Sequence, residues 1–202
     1  MHIALPELHE PVTLILDSEH GISDQDYFAF CEANPDLRLE RTSRGEIVIV
    51  PPAGGESDFR CSRTNYQLVG WAIRDGRGEG FTTSVEFLLP DGSALSPDAA
   101  WVSKARLASL SKAERRQFLR VVPEFVVEVM SPADRLAAAR SKMQNWMANG
   151  VELGWLSDGD AETVWVYRQG QEARELTGIT RLAGEGPMEG FVLELEDIWK
   201  GL

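Results

Sequence analysis

The sequence is poor in the residues that form disulfide frameworks and zinc sites. Its 202 residues include two cysteines, Cys31 and Cys61, which fall in segments with helical patterning and lack the spacing of a zinc knuckle. The three histidines, His2, His9 and His20, are spaced irregularly near the N-terminus. We therefore expect free thiols in a reducing compartment and no zinc site.

Long apolar runs are also lacking. No stretch approaches the ~20 apolar residues of a membrane-spanning helix. The N-terminal residues have no basic start, and they place Glu, His and Pro where a signal peptide needs an apolar core. The apolar fraction of 43% is ordinary for a globular protein, and a chain of this length can bury a full core. The expectation is one cytoplasmic domain over residues 1–202, with residues 1–21 as an N-terminal arm and no membrane partner.

Basic residues are scarce overall but are concentrated in one segment. The formal net charge of −12 disfavours general attraction to nucleic acid, because phosphate contacts dominate that affinity. Residues 104–142 nevertheless contain nine basic and four acidic side chains, a local charge of +5. Two interpretations stay open: a basic face beside a functional site, or an exposed helix with ordinary surface charge.

Capping and turn signals divide the chain into alternating helices and strands. Helices are predicted to begin near Ser23, Ser57, Ser111 and Ser131, and hairpins are predicted within residues 39–50 and 81–102. Further strands are predicted at residues 124–130, 152–157 and 163–167, then a loop at 178–190 and an edge strand or short helix at 191–199. This order predicts an α/β (α+β) fold in which a central mixed β-sheet is flanked by helices.

The most informative segment is the apolar stretch at residues 123–131. Glu128 shares a strand face with Val126 and Met130, whereas the alternate residues form a plain core face. A carboxylate in such surroundings is poorly solvated, and a bound metal ion is one way to keep it charged. The alternative is a glutamate at a strand end that pairs with an arginine or faces solvent.

Three further polar residues stand at positions from which they could join Glu128. Asp98 follows a Ser-Pro pair in an otherwise apolar strand, where a turn or bulge is the alternative. Lys142 flanks the apolar stripe of the next helix and could reach over the sheet, although a surface lysine with a packed stem gives the same pattern. Glu40 begins the first hairpin and could add a carboxylate or hold a metal-bound water.

Together these residues resemble the PD-(D/E)xK nuclease superfamily and, within it, the Uma-type family of putative restriction endonucleases. The resemblance extends from residue 23 to residue 199. The segments that carry it are residues 39–40, 45–48, 89–92, 96–98, 123–131, 134–135, 142–143 and 150–156.

The resemblance implies a restriction-endonuclease-like fold and a set of site residues. Asp98 and Glu128 take the places of the metal ligands, and Glu40 matches an acidic residue near the start of the sheet. The superfamily pattern has a lysine at the position of Met130 in this chain. The family resemblance implies that Lys142 reaches the same space from the following helix.

The implied function is hydrolysis of DNA phosphodiester bonds with Mg²⁺ or Mn²⁺ as cofactor. These hard cations prefer oxygen ligands and keep several waters, so two or three carboxylates suffice, and a lysine can orient the attacking water. The alternative is an inactive nuclease-fold protein used as a binding or assembly module, which Met130 and the acidic composition favour. A homo-oligomer also stays open, because exposed strand edges and a surplus of tryptophans often lie in interfaces.

Overall fold

A computed structural model of the chain describes residues 11–15, 22–132 and 134–202. Two compact units are present. The first contains the described residues up to Pro52, together with Glu86–Ser96 and Leu110–Val121. The second contains Ala53–Val85, Pro97–Ser109 and Val122–Leu202. The single-domain interpretation with residues 1–21 as an arm stays a prediction, although the described part of that arm contributes a strand.

The first unit is built on a small antiparallel sheet. Its described elements are β1 (Val12–Leu14), α1 (Asp24–Glu32), β2 (Arg38–Arg41), β3 (Ile47–Val50), β5 (Phe87–Leu88), β6 (Ala94–Leu95) and a 3-10 turn at Glu114–Arg116. The strand order is β1-β3-β2-β6-β5. Alternate residues of β3, Ile47 and Ile49, are fully buried against Tyr27 and Phe30 of α1, which gives the unit its own core.

A polar network ties α1 to the rest of the first unit. Asp24 forms ion pairs with Arg41 and, at 2.5 Å, with Arg120. Tyr27 donates its hydroxyl to Glu86 at 2.6 Å, and the Arg41 guanidinium lies 5.0 Å from the centre of the Tyr27 ring. Burial, with the Glu86 charge beside it, raises the pKa of the Tyr27 hydroxyl. The tyrosine therefore stays neutral and acts as a donor.

The second unit is built on a larger sheet of mixed direction. Its described elements are α2 (Gly55–Asp75), β4 (Gly78–Thr82), β7 (Ala99–Ser103), α3 (Lys104–Ala108), β8 (Phe125–Val129), α4 (Leu136–Ala148), β9 (Leu153–Asp158), β10 (Thr163–Arg168), β11 (Arg174–Thr177), β12 (Arg181–Ala183), a 3-10 turn at Gly186–Met188, β13 (Val192–Glu194) and α5 (Glu196–Lys200). The order of the larger sheet is β11-β10-β9-β8-β7-β4. The β8–β9 pair is parallel and is joined by α4, and the other pairs are antiparallel.

The two faces of the larger sheet carry different layers. One face, which includes Phe125 and Val127, packs on Leu68 and Trp71 of α2 in the main core. The other face is covered by α4, and here Gly154 of β9 allows a close approach. A Cβ at position 154 would lie 2.4 Å from the terminal methyl of Met143, a buried α4 side chain.

The prediction that residues 81–102 form one continuous hairpin is wrong. The strands do align around the expected turn, with Phe81 opposite Ala100 and Leu88 opposite Ala94. However, residues 83–86 and 96–98 interrupt the ladder, so β4 and β7 belong to the larger sheet whereas β5 and β6 belong to the smaller one. Pro97 provides part of the reason, because proline has no N–H to donate to a ladder.

The predicted helix start at Ser131 is also wrong, since α4 begins at Leu136. The Ser131 N–H donates to the Asp134 carboxylate at 2.6 Å, and the Asp134 N–H donates to the Ser131 carbonyl at 3.0 Å. These bonds close a separate turn, and Arg135 is then extended before the helix begins. The Ser and Asp side chains thus mark a turn rather than a helix cap.

Two smaller expectations meet different outcomes. The loop predicted for residues 178–190 contains strand β12, which pairs with β13, and the tail forms both β13 and the short helix α5. Cys31 in α1 and Cys61 in α2 carry free thiols, as expected, and burial raises the pKa of Cys31 to about 12. Within the described ranges, no helix is long and apolar enough to span a bilayer.

Replacement of Asp24 by asparagine is expected to destabilise the protein in a pH-dependent way. Burial tends to raise the pKa of Asp24, but Arg41 and Arg120 outweigh it and hold the pKa below its ordinary value of 3.8. The stabilisation is therefore present above about pH 4 and is lost as the pH falls through the folded-state pKa. Because the carboxylate is partly exposed, we expect a loss of about 1 kcal/mol at pH 7.

Urea unfolding at a series of pH values between 7 and 3 measures this effect, with Asp36→Asn as a matched exposed control in the same unit. The difference between wild type and Asp24→Asn should shrink as the pH falls below 4. A difference that is constant across the series would contradict the ion-pair interpretation.

Candidate active site

Glu128 is a carboxylate in the middle of the larger sheet. All five residues of β8 are buried, and Glu128 itself is 7% exposed. Its neighbours Val127 and Val129 belong to the core on the α2 side, so the pleat directs Glu128 to the face covered by α4. A buried charge at such a position needs partners, because desolvation favours the neutral form.

Two side chains of α4 supply partners for Glu128. The Lys142 Nζ lies 3.1 Å from Glu128 Oε1, and the Trp146 Nε1–H donates to the same oxygen at 2.8 Å. Lys142 and Trp146 are four residues apart, which places them one turn apart on one side of the helix. Trp146 is fully buried, so packing fixes the position of the indole that donates to the carboxylate.

Asp98 lies directly before β7, the strand that pairs with the Glu128 strand. Ala99 pairs with Val127 in the antiparallel ladder, and continuing that register by one residue sets position 98 against position 128. Residues opposite each other in such a ladder have Cβ atoms about 4.5–5.5 Å apart. The Asp98 Oδ2 accepts the Val129 N–H at 2.8 Å, and the Asn65 amide donates to the Asp98 carbonyl at 2.8 Å. The backbone that carries Asp98 is thus held from both sides.

In the second unit, half-buried Lys142 forms an ion pair with Glu128, and the Asp98 carboxylate contacts the backbone next to Glu128. Asp98 is 9% exposed, and Lys142 joins the pair of carboxylates as a cation from the helix above. Among the described residues, no cluster of three or more His, Cys, Asp or Glu side chains is arranged to hold a metal ion. Asp98 and Glu128 stay the two carboxylates that are predicted to hold a metal ion.

Glu40 belongs to the first unit. It lies in the middle of β2, where its Oε1 accepts the Ser96 N–H at 3.2 Å and its side chain is buried. This bond fixes the carboxylate against β6 of the same unit. A catalytic role for Glu40 stays a prediction.

Met130 occupies the place that the superfamily pattern gives to a lysine. It follows β8 directly, its N–H donates to the Ser157 carbonyl at 2.8 Å, and its side chain is 8% exposed. A buried thioether cannot bind a phosphate through charge. Lys142, which approaches Glu128 from α4, is therefore the cation that could replace the motif lysine.

Trp146 is the functional candidate that sequence reasoning missed. Its spacing of four residues from Lys142 is the signal that was present, because side chains at this spacing meet on one side of a helix. The sequence alone gives no sign that the Trp146 N–H has a carboxylate partner.

The basic segment at residues 104–142 is divided between the two units. Lys112, Arg115, Arg116 and Arg120 belong to the first unit, and the other five basic residues belong to the second. Arg106, Arg120, Arg140 and Lys142 each pair with an acid of the chain itself. Much of the local positive charge is therefore neutralised within the protein.

An open surface cavity of about 430 Å³ adjoins α4 but does not contain the carboxylate pair. Its lining includes Arg140, Gln144, Trp165 and Tyr167. Arg140 lies over the Trp165 ring at 5.1 Å, and the Trp165 N–H donates to Glu175 at 2.7 Å. The carboxylate pair is therefore the candidate site because its side chains can bind a metal ion, and not because it lies in this cavity.

Comparison with solved structures identifies the fold. The chain is similar to a putative nuclease belonging to DUF820 from Anabaena variabilis ATCC 29413, with 18% identity and a TM-score of 0.69. That likeness covers 82% of this chain and 91% of the other. The mixed sheet flanked by helices is thus a restriction-endonuclease-like fold, as the sequence predicts. A weaker likeness to a DrdV–DNA complex, at 16% identity and a TM-score of 0.34, spans 55% of this chain and 9% of the other.

Comparison with families gives the assignment. No curated protein matches the chain. The model of the Uma2 family, described as putative restriction endonuclease, matches residues 24–196. This range includes all four predicted site residues and confirms the resemblance seen in the sequence. The chain therefore belongs to the Uma2 family of putative restriction endonucleases.

Proposed function

We propose that this protein is a metal-dependent endonuclease that hydrolyses DNA phosphodiester bonds. The observation that carries the proposal is that the Asp98 carboxylate accepts the N–H of Val129, the residue after Glu128, while the Lys142 ammonium lies 3.1 Å from Glu128. A structural ion pair needs one acid and one base. A second buried acid beside the pair adds negative charge that a divalent cation would offset.

The donor set fits Mg²⁺ or Mn²⁺. Carboxylate oxygens are the ligands that these hard cations prefer, and Mg²⁺ is often held by one or two carboxylates together with waters and substrate phosphates. Asp98 and Glu128 would hold the ion. When bound, it would supply positive charge to the scissile phosphate and lower the pKa of a coordinated water.

Lys142 and Trp146 would prepare the site for this chemistry. The ammonium of Lys142 can orient a water or donate to a phosphate oxygen as negative charge develops there. Trp146 donates to Glu128 from a fixed position, so it would keep the carboxylate directed along the sheet. In this proposal Lys142 is a catalytic residue and Trp146 is a positioning residue.

DNA is the proposed substrate because the family is one of putative restriction endonucleases. The net charge of −12 gives little long-range attraction to DNA, so contacts near the site must supply the affinity. The second candidate function is a non-catalytic nuclease-fold module. Met130 at the position of the motif lysine is the specific observation in its favour.

Asp98→Asn and Glu128→Gln are each expected to reduce DNA cleavage by about 100-fold or more, because each removes charge from the proposed metal site. Cleavage of single- and double-stranded DNA is measured with Mg²⁺, Mn²⁺ or EDTA, and EDTA should abolish it. Glu175→Gln is the matched control, since Glu175 also pairs with an α4 cation and an indole N–H. Cleavage that persists in EDTA and in both site variants would contradict the proposed mechanism. No cleavage with any metal or DNA would favour the non-catalytic module.

Lys142→Met is expected to abolish cleavage, and adding Met130→Lys to it should restore part of the lost rate. The reason is that position 130 directly follows the Glu128 strand, where the superfamily pattern has its lysine. Rates of Lys142→Met, Met130→Lys and the double variant are compared, with circular dichroism to verify folding. Full activity in Lys142→Met would exclude this lysine from catalysis.

Trp146→Phe is expected to weaken Mn²⁺ binding by about 10- to 100-fold, the usual effect of losing a partner that orients a metal ligand. Mn²⁺ affinity is measured by electron paramagnetic resonance. Trp165→Phe is the control, because it removes an indole–carboxylate hydrogen bond of similar length, 2.7 Å, at Glu175. Equal affinities for wild type and Trp146→Phe would show that Trp146 only fills space.

A further inference from the structure

Four side chains of the second unit converge on the open cavity beside α4, outside the candidate active site. Arg140 and Gln144 come from α4, whereas Trp165 and Tyr167 come from β10. Arg140 and Gln144 are four residues apart, so they share one side of the helix. Trp165 and Tyr167 are two residues apart in a strand, so they share one face of the sheet. The cavity is therefore built by two rigid elements rather than by loops alone.

This cavity and the Glu128 carboxylate lie on the same face of the larger sheet. Glu128 is opposite Leu156 in β9, and Leu156 is opposite Trp165 in β10. Opposite residues point to the same face, and two strand spacings separate the Glu128 and Trp165 positions by about 10 Å. Lys142 pairs with Glu128 whereas Arg140 lies over Trp165, so the two sites use different sides of α4.

Arg140 is held in place, yet no described residue accepts a hydrogen bond from its guanidinium. The guanidinium lies 5.1 Å from the centre of the Trp165 ring, and the Trp165 indole is fixed by its 2.7 Å bond to Glu175. The ion pair between Arg140 and Glu175 is 3.7 Å long, which is too long for a hydrogen bond. A guanidinium carries five N–H donors, so Arg140 keeps these donors for a ligand.

Tyr167 adds a second donor to the cavity. Its side chain is 7% exposed, and within the described ranges its hydroxyl has no hydrogen-bond partner. Burial raises the pKa of Tyr167, and the positive charge of Arg140 opposes that rise in part. The hydroxyl is therefore protonated at neutral pH and lies within electrostatic reach of the guanidinium. A hydroxyl so buried without a partner costs free energy, which a ligand in the cavity would recover.

We propose that this cavity binds a phosphate group, with Arg140, Gln144 and Tyr167 as its donors. Phosphate suits this set because its oxygens can accept from a guanidinium, an amide and a hydroxyl that approach from different sides. The cavity volume of about 430 Å³ leaves room for a sugar or a nucleoside attached to the phosphate. The ligand class is therefore a phosphate ester.

Acidic groups at the rim set the expected affinity. Glu172 and Glu175 also line the cavity, and the Glu175 carboxylate competes with a phosphate for Arg140. Arg168 lines the cavity too, but it forms an ion pair with Glu185. The side chain of Glu175 is 55% exposed, so it can turn toward solvent when a phosphate enters. We therefore expect inorganic phosphate to bind at millimolar concentrations.

Two sources would supply the same phosphate chemistry. One is a free nucleoside monophosphate, which does not involve the nuclease mechanism. The other is a backbone phosphate of a DNA strand that reaches Glu128, and this source rests on the proposed function. Binding measured in EDTA requires no cleavage. A failure of the nuclease proposal therefore leaves the phosphate site testable.

Titration with inorganic phosphate and with thymidine monophosphate tests the site by proton–nitrogen NMR. The side-chain signals of Arg140 and Gln144 should shift along one saturable curve, and thymidine without phosphate should cause no shift. Arg140→Gln is expected to weaken binding by about 10-fold or more, and Tyr167→Phe by about threefold, because they remove a charged and a neutral donor. Arg74→Gln is the matched control, since it removes an exposed helical arginine of α2.

A change of the competing acid gives an effect of opposite sign. Glu175→Gln removes the negative charge beside Arg140, so it should tighten phosphate binding by about threefold. A purely structural role of the Arg140–Glu175 pair predicts no such gain. Circular dichroism verifies that each variant keeps its secondary structure.

An oligothymidylate distinguishes the two sources. If the phosphate belongs to DNA, Arg140→Gln should reduce the salt dependence of oligothymidylate binding in EDTA by about one released ion. An unchanged salt dependence, together with saturable binding of thymidine monophosphate to wild type, assigns the site to a free nucleotide.

Three outcomes would overturn the phosphate site. The first is the absence of a saturable shift at Arg140 and Gln144 with both phosphate compounds. The second is an Arg140→Gln variant that binds thymidine monophosphate as tightly as wild type does. The third is weaker rather than tighter phosphate binding in Glu175→Gln.

Discussion

The structure of the second unit depends on how one buried carboxylate is accommodated. Glu128 lies in the fully buried strand β8, where an isolated charge would cost several kcal/mol. The ammonium of Lys142 and the indole N–H of Trp146 offset this cost, and both come from the helix that connects β8 to β9. The same contacts dock α4 on the sheet and fix the direction of the carboxylate. The contacts that pack α4 on the sheet are therefore the same contacts that set the geometry of the candidate site.

Much of the fold could be predicted because its signals are local. The hairpin of β2 and β3 follows from β-branched residues around Ser-Arg-Gly. Helix α1 begins at Asp24, directly after the N-cap Ser23, whose side chain accepts the Asp26 N–H as the capping pattern predicts. The failures have non-local causes. Whether residues 81–102 form one ladder or two depends on which sheet each half joins, and sequence patterning does not encode that choice. The Ser131–Asp134 pattern suits a turn and a helix cap equally well.

The candidate site shows the same contrast between features with local signals and features with non-local causes. The alternation of β8 sufficed to place Glu128 opposite the main core face, because the period of a strand is fixed. The position of Asp98 opposite Glu128 follows from the β7–β8 register, which the hairpin prediction did not contain. Trp146 was missed because its role depends on the distance between α4 and the sheet, which close packing at Gly154 makes short. Glu40 was predicted from its place at the start of the first hairpin as well as from family resemblance, and its carboxylate accepts a backbone N–H of the first unit.

The division of the chain into units has a consequence for how such a protein can change. The first unit is assembled from three separate stretches, and the polypeptide passes from one unit to the other five times. No single break in the gene separates them, so neither unit can be exchanged as a cassette between proteins. Recombination, which shuffles contiguous domains readily, would have to preserve five junctions at once. Divergence in such a fold is therefore expected to proceed by point substitutions and by insertions in loops.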